Sequence, residues 1–251
     1  MPLALLRQGA EDLGVALALL TRLPLPKLRE AAFRRQAQAG WAFPLVGLAV
    51  AALAALVGRG ALLLGLPAEV AAGLVLAAMA AMTGAMHEDG LADTVDGFWG
   101  GQSRERRLEI MKDSMIGSYG ALALVLSAGL RWMALAELLP LGWGGLVCAA
   151  CLSRAVLPGL MTALPPARAG GLSRAVGVPG VWASLVAAGI GLGLGLAAVG
   201  LTALGAAVAA GLAAVALGAL AKARIGGQTG DVLGAAQQVA EIAVLLVLLA
   251  G

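Results

Sequence analysis

Charged residues are scarce in this sequence. Asp, Glu, Lys and Arg make up 12% of its 251 residues, and the mean hydropathy is +0.93. Soluble domains carry about 25% charged residues, so this composition excludes the soluble class. Apolar runs rich in Ala, Leu, Val and Gly instead recur along the whole length, as is typical of helical membrane proteins. The N-terminus lacks a basic stretch followed by an apolar core and a cleavage site, so no removable signal peptide is expected.

Cysteine and histidine, the usual ligands of zinc, are also scarce, since the sequence has two cysteines and one histidine. Cys148 and Cys151 form a C-x-x-C motif within an apolar run, without a second cysteine pair or a histidine nearby. A zinc site needs about four ligands, and a redox C-x-x-C motif expects a thioredoxin-like setting. We therefore predict that both thiols pack on one face of a helix.

The apolar runs indicate the fold class. Each is close to the length of about twenty residues that crosses a membrane. They fall near 40–64, 67–86, 119–139, 145–163, 179–199, 201–221 and 235–250. Residues 1–21 are amphipathic and more charged, which predicts a helix at the membrane interface. The predicted fold is all-α, a polytopic membrane bundle of about seven transmembrane helices plus an N-terminal interfacial helix, in a single domain over residues 1–251.

Basic residues are concentrated in alternate loops. Lys and Arg occur in the loops at 22–38, 87–118, 164–178 and 222–234, but not in the turns at 65–66, 140–144 and about 200. Since basic loops stay in the cytoplasm, all four basic loops are predicted to lie on that side. This distribution explains the net charge of +3 without nucleic acid as a partner, because no basic patch contains interleaved aromatic residues.

The acidic residues are clustered. Half of them lie between Glu88 and Asp113, and the segment HEDGLADTVDGFWGG at 87–101 opens the cluster. On a helix, Asp89, Asp93 and Asp96 stand at i, i+4 and i+7 and share one stripe. Three such carboxylates repel one another unless a divalent cation neutralises them. All-oxygen ligands indicate Mg²⁺ or Mn²⁺ rather than zinc. The alternative, a solvated acidic helix, leaves the accompanying glycines unexplained.

Further candidate residues flank this stripe. His87 could be a metal ligand, a general base or a structural polar residue. Downstream, Glu109 and Asp113 stand at i, i+4 and could add carboxylates. Arg107 and Lys112 could bind phosphate oxygens, although a salt-bridged amphipathic surface helix accounts for the same pattern.

A second polar segment, GGQTGDVLGAAQQVAE, lies at 226–241. Gly227 and Thr229 resemble a phosphate-binding turn that opens a helix. Asp231 could be part of that site or a helix cap. Glu241 lies deeper in an apolar run, where an unpaired acid is costly. Because both polar segments are predicted on the cytoplasmic side, we expect them to form one composite site.

In these segments the chain resembles the cobalamin synthase family, the adenosylcobinamide-GDP ribazoletransferases. The resemblance lies mainly in HEDGLADTVDGFWGG, RLEIMKDSMIGSYG and GGQTGDVLGAAQQVAE. It also includes the earlier segments TRLP at 21–24 and FPLVG at 43–47, and the five segments occur in the family's order along most of the chain. It implies a multi-pass enzyme of the inner (plasma) membrane, surrounded by lipid, with its active site facing the cytoplasm. The implied reaction joins adenosylcobinamide-GDP to α-ribazole or its 5′-phosphate, releases GMP and yields adenosylcobalamin or its 5′-phosphate. The oligomeric state, a homo-oligomer included, is left open.

The resemblance also implies Mg²⁺ as cofactor. Together with the spacing, it favours Asp89, Asp93 and Asp96 as metal ligands, and Asp113 and Asp231 as ligands or bases. The one departure is Glu88, where the family pattern predicts an apolar residue. Because Glu88 points about 100° away from Asp89 on a helix, we expect it to be a bystander whose replacement is mild.

Two other functions match parts of the pattern. A CDP-alcohol phosphotransferase is also polytopic with helically spaced aspartates, but Asp93-x-x-Asp96-Gly97 is not followed by the Ala-Arg of that motif. A cation transporter would use membrane carboxylates as ion ligands. Transporters tend to place these at midplane in repeated halves, whereas here the acids lie at the ends of predicted spans and no repeat is visible.

Overall fold

A computed structural model describes residues 2–251, with side chains from residue 7 onward. Over these residues the chain forms twelve α-helices and no β-strand. Their bounds are α1 Pro2–Leu20, α2 Phe43–Leu63, α3 Ala68–Thr83, α4 Met86–Gly100, α5 Arg104–Ile110, α6 Ser118–Leu138, α7 Gly144–Ala155, α8 Leu157–Ala163, α9 Leu172–Val176, α10 Gly180–Val199, α11 Thr202–Ile225 and α12 Gly230–Ala250.

Six segments in the described part of the chain are long and apolar enough to cross a membrane. They comprise α2 with the turn before it, α6 with the turn after it, α7 joined to α8, and the single helices α10, α11 and α12. A seventh is present if α3 and α4, which are bent by 87° relative to each other, count as one broken span. The predicted all-α polytopic bundle is therefore confirmed.

A sharp bend between α3 and α4 gives the acidic helix a direction different from that of the apolar helix before it. Gly84 (φ 66°) and Ala85 (φ 55°) both adopt left-handed backbone conformations. Gly84 ends α3 in the usual left-handed cap, and helical hydrogen bonding cannot run through two such residues. The positive φ of Ala85 is uncommon for a residue with a Cβ. As a result α4 leaves the direction of α3 and packs against α6 and α12.

The predicted polar loops are more ordered than the sequence indicated. Residues 87–118 contain α4 and α5, and the loop predicted at 222–234 is reduced to residues 226–229 between α11 and α12. Ser103 begins α5 as its cap, because its hydroxyl accepts a hydrogen bond from the backbone N–H of Arg106 (3.2 Å).

Small residues allow the helices to pack closely. A Cβ on Gly47 of α2 would lie 2.2 Å from the carbonyl oxygen of Ala150 on α7, so only glycine permits this approach. Cys148 and Cys151 are free and buried on α7, as predicted for packing residues.

The four basic loops lie at one end of the bundle. The guanidinium of Arg104 donates hydrogen bonds to the carbonyl oxygens of Ile225 (2.8 Å) and Ala167 (2.6 Å), which joins three of the loops. Gln36 donates to the carbonyl oxygen of Ala175 (2.8 Å) and joins the first loop to the third. This arrangement is the one required if all four basic loops share one side of the membrane.

Candidate active site

The two polar segments meet where α4 crosses α12. A Cβ on Gly90 would lie 2.7 Å from the carbonyl oxygen of Asp231 and 3.1 Å from the Cα atom of Gly234. Glycine at position 90 is therefore required for the backbones to approach this closely. The acidic stripe and the segment beginning at 226 are therefore in contact, as expected, and their joint role as one site stays a prediction.

A cavity of about 350 Å³ opens at this crossing. Asp89 and Asp231 line it from α4 and α12, and the buried side chain of His87 contributes to the same wall. The cavity is within the range of about 300–1,000 Å³ that is usual for small-molecule sites. Three of the predicted site residues are thus brought together around one space.

Asp93 lies one turn further along α4, which is outside the six spanning segments. Burial, and after it the negative charges of Asp89, Asp231 and Asp96, raise the pKa of its carboxyl from 3.8 to about 7, while Arg168 opposes the shift. The acidic stripe therefore has the mutual repulsion that was expected from its spacing.

Arg168 is a site residue that the sequence did not single out. It lies in the loop after α8, lines the cavity, and its guanidinium forms an ion pair with the Asp231 carboxylate. The hydroxyl of Thr229 also donates a hydrogen bond to that carboxylate (3.2 Å). The only sequence signal for Arg168 was its place in a basic loop on the side predicted for the site.

Asp96 has a structural contact that the stripe did not predict. Its two carboxylate oxygens accept hydrogen bonds from the backbone N–H groups of Gly117 (2.7 Å) and Gly120 (2.8 Å). Asp96 is buried and caps the N-terminus of α6, where a carboxylate also interacts favourably with the helix dipole. Its role as a metal ligand stays a prediction.

The predicted phosphate-binding residues downstream of α4 do not line the cavity. Arg107 donates hydrogen bonds to the carbonyl oxygens of Gly101 (2.9 Å) and Arg224 (3.1 Å), and so joins the C-terminal ends of α4 and α11. Lys112 is exposed. Asp113 is also exposed and accepts a hydrogen bond from the backbone N–H of Met115 (3.1 Å). The roles predicted for these residues in phosphate or metal binding remain predictions.

The turn before α12 is held by backbone pairing. Gln228 donates to the carbonyl oxygen of Pro165 (2.9 Å) and accepts from the N–H of Ala167 (2.8 Å), and a Cβ on Gly227 would lie 2.0 Å from that Pro165 oxygen. Thr229 is the N-cap of α12, with its hydroxyl accepting from the N–H of Val232 (3.2 Å). The alternative that Asp231 is this cap is therefore wrong, and its carboxylate is directed to Arg168 instead.

A buried polar network joins the start of α4 to α6 and α12. Arg131 of α6 forms ion pairs with Glu88 (2.9 Å) and Glu241 (2.8 Å), and Gln238 accepts a further hydrogen bond from it (2.9 Å). The expectation that Glu88 is a bystander is therefore wrong. A buried guanidinium requires anionic partners, and Glu88 supplies one of the two.

The acidic residues around the cavity offer oxygen ligands of the kind that Mg²⁺ prefers. Across residues 2–251, no three His, Cys, Asp or Glu side chains converge closely enough to hold one ion in the observed conformation. Mg²⁺ usually takes only one or two protein carboxylates and completes its shell with water and substrate phosphates. Burial is the main cause of the raised pKa of Asp93, and the negative charges of neighbouring carboxylates add to it; a divalent cation would neutralise those charges. The carboxylates of Asp89, Asp93 and Asp231 therefore fit Mg²⁺ if one or two of them bind it and water and substrate complete its shell, whereas the predicted ligand set Asp89, Asp93 and Asp96 stays a prediction.

Several known proteins that are similar to this chain share one name. The chain is 46% identical over 205 residues to an adenosylcobinamide-GDP ribazoletransferase of Bradyrhizobium diazoefficiens, covering 78% of this chain and 79% of that protein. A protein of the same name from Azorhizobium caulinodans is 48% identical over 211 residues, covering 76% and 80%. The corresponding Mesorhizobium japonicum protein is 47% identical over 187 residues, covering 74% and 72%.

No solved structure matches the chain. Residues 12–249 match the family of cobalamin-5-phosphate synthases, a range that includes α4, α12 and the cavity between them. With the fold, the meeting of the two polar segments and these relatives in agreement, the chain belongs to the cobalamin-5-phosphate synthase family.

Proposed function

We propose that this protein joins adenosylcobinamide-GDP to α-ribazole or its 5′-phosphate and releases GMP, in a Mg²⁺-dependent reaction. The names of the relatives support the two substrates. The observation that carries the proposal is the meeting of Asp89 and Asp231 at one cavity beside Arg168. A transfer at a pyrophosphate needs both negative ligands for a metal and positive donors for phosphate oxygens, and this site offers both.

In the proposed reaction a ribose hydroxyl of ribazole attacks the phosphorus next to the cobinamide. A new P–O bond forms, the bond to the GMP phosphate breaks, and GMP leaves with the electron pair. The hydroxyl proton passes to a carboxylate at the site. Mg²⁺ held by one or two of the carboxylates of Asp89, Asp93 and Asp231 would supply charge neutralisation for the pyrophosphate.

Arg168 and Asp231 would act as a pair in this site. In the observed structure they neutralise each other. When a pyrophosphate binds together with its cation, the guanidinium of Arg168 would pair with phosphate oxygens and the carboxylate of Asp231 would pair with the metal. Both charges would therefore remain paired. Arg168 would then bind the donor substrate, a role that the sequence alone had given to Arg107 and Lys112.

We further propose that the site faces the cytoplasm and that the bundle lies in the plasma membrane. The gathering of all four basic loops at the end that carries the cavity supports this orientation. Family membership favours this function over a CDP-alcohol phosphotransferase or a cation transporter.

The proposal is tested with purified protein in detergent or liposomes. With Mg²⁺, adenosylcobinamide-GDP and α-ribazole should yield GMP and the joined product in equal amounts. When EDTA removes the Mg²⁺, neither product should form. Asp93→Asn should lower kcat by about a hundredfold or more, since a ligand and a charge are lost. The control variant Glu105→Gln changes an exposed acid that does not line the cavity, and it should retain most activity. Absence of GMP release by the wild-type protein would refute the proposal.

A further inference from the structure

One wall of the cavity is a single thin segment of chain, residues 168–178, which includes the short helix α9. Ser173 and Val176 of this segment are buried and line the cavity. Arg174 and Ala175, which lie between them in the sequence, are exposed. Little more than one turn of helix therefore separates the cavity from the exterior of the protein.

Both ends of this segment are fixed to the rest of the protein. Before it, the carbonyl oxygen of Ala167 accepts a hydrogen bond from Arg104 (2.6 Å), and the N–H of Ala167 donates to the carbonyl oxygen of Gln228 (2.8 Å). After it, Pro179 is buried beside Gly40, where an added Cβ would lie 3.4 Å from the Cβ of Pro179. Any movement of the segment is therefore confined to the residues between these two anchors.

Between its anchors the segment is held by few interactions. Helix α9 packs extensively against no other helix in the described part of the chain, and Val176 is its one side chain in the main apolar core. The side chain of Gln36 donates a hydrogen bond to the carbonyl oxygen of Ala175 (2.8 Å), and Arg168 forms the ion pair with Asp231. Segments with few buried contacts open locally at a lower free energy than the core.

Glycines flank α9 on both sides. Gly171 has a φ of 105° and Gly177 a φ of 88°, in the left-handed region that residues with a Cβ rarely adopt. Because glycine changes between positive and negative φ at low cost, the backbone can turn on either side of α9. The segment thus combines fixed ends, a glycine at each end of its helix and two polar contacts that can be released.

We infer that the segment 168–178 is a lid that opens to admit substrate to the cavity and closes over it, with Gln36 as its latch. The inference rests on the proposed function for the identity of the substrates. Opening separates Arg168 from Asp231, and closure over a bound pyrophosphate lets the same guanidinium bind phosphate oxygens. A closed lid excludes water from the reaction. Water that attacked the same phosphorus would form a P–O bond there and lose its proton to a carboxylate, and GMP would leave without a joined product.

The access of a reagent to the cavity tests the lid without any substrate. Met161 is 3% exposed and lines the cavity, so Met161→Cys places a thiol behind the lid. Its reaction with a permanently charged methanethiosulfonate, which does not cross lipid, is followed by mass spectrometry. Cys148 and Cys151 are fully buried, and the protein without the added cysteine gives their background. If Met161→Cys fails to fold, Leu233→Cys provides a thiol on the same cavity.

We expect Gln36→Ala to raise the rate of this modification by about two- to tenfold, the factor by which the loss of one neutral hydrogen bond shifts the opening equilibrium. Gln38→Ala changes an exposed glutamine two residues later and should leave the rate unchanged. In the enzyme assay, Gln36→Ala should release more GMP than joined product, because water enters the site more often. Gln38→Ala should keep the two products equal.

A second experiment fixes the lid shut. The double variant Gln36→Cys, Ala175→Cys is bridged by a short bifunctional methanethiosulfonate, and a reductant removes the bridge. The bridged protein should release GMP at least about tenfold more slowly, because apparent affinity falls with the fraction of open protein. The reductant should restore the rate, and neither single variant should respond to the same treatment.

An unchanged modification rate in Gln36→Ala, or full GMP release by the bridged protein, would overturn the lid while wild-type GMP release still upheld the proposed function. If the wild-type protein released no GMP but Gln36→Ala raised the modification rate as expected, the proposed function would fail and the lid would stand.

Discussion

Arg131 and Glu241 form an ion pair inside the helical bundle, with 2.8 Å between the guanidinium nitrogen and the carboxylate oxygen. Both side chains are at most 5% exposed, so the pair has little access to water. Glu88 provides a second carboxylate for the same guanidinium from α4, which begins the acidic stripe. The ion pairs of Arg131 with Glu88 and Glu241 therefore hold α4 against α6 and α12.

This network predicts that Glu88→Leu destabilises the protein, in contrast to the mild effect expected from the sequence. Arg131 would keep Glu241 but lose a buried partner, at a cost of about 1–3 kcal/mol. The unfolding temperature of the detergent-solubilised protein measures this effect. Glu109→Gln removes an exposed ion pair with Arg106 and should leave that temperature nearly unchanged. Equal unfolding temperatures for the two variants would show that the buried pair contributes little.

The close crossing of α4 and α12 predicts a strong effect of Gly90→Ala. Its new Cβ would lie 2.7 Å from the carbonyl oxygen of Asp231, so the helices must separate. We expect a stability loss of about 1–3 kcal/mol and a larger loss of activity, because Asp89 and Asp231 move apart. Gly100→Ala lies in the same helix, but its Cβ would meet Ile110 at 3.4 Å, an ordinary contact. Thermal unfolding and GMP release are measured for both, and full activity in Gly90→Ala would contradict the shared site.

Several of these features follow from the sequence, and others do not. The positions of Asp89, Asp93 and Asp96 on one stripe follow from helical periodicity, and the position of Asp231 beside them follows from the basic loops that mark one side of the membrane. Periodicity carries no information about a loop residue such as Arg168, whose ion pair depends on how the loop after α8 packs. The sequence also does not predict the cap that Asp96 provides for α6, because the partners of Asp96 are backbone amides of a helix more than twenty residues away.

The raised pKa of Asp93 predicts an unusual dependence of stability on pH when metal is removed. The folded state keeps this carboxyl protonated up to a pKa of about 7, whereas the unfolded value is 3.8. The folded state therefore binds more protons between these values, and stability falls as the pH rises through this window. In EDTA, the unfolding temperature should decrease from about pH 5 to about pH 7, and the decrease should be smaller in Asp93→Asn.

Magnesium should reverse this dependence. Above pH 7 Asp93 is ionised, and Mg²⁺ should raise the unfolding temperature of the wild-type protein more than that of Asp93→Asn. An identical pH profile in both proteins, with and without Mg²⁺, would show that Asp93 neither titrates in this range nor binds the ion. Glu30→Gln, an exposed acid in the first basic loop, serves as the control for a general loss of one negative charge.

The ion pair between Arg168 and Asp231 predicts how the donor substrate is bound. If Arg168 contacts the pyrophosphate, Arg168→Gln should raise the KM for adenosylcobinamide-GDP by about tenfold to a hundredfold, since a hydrogen bond to a charged group contributes about 1.5–3 kcal/mol. Arg174→Gln removes an exposed arginine from the same segment of the chain and should leave this KM unchanged. Because Arg168 also neutralises Asp231, the unfolding temperature is measured in parallel to separate a loss of structure from a loss of binding. An Arg168→Gln protein with lowered stability but a normal donor KM would assign Arg168 a structural role, and the phosphate contacts would then have to come from the other basic loops at that end of the bundle.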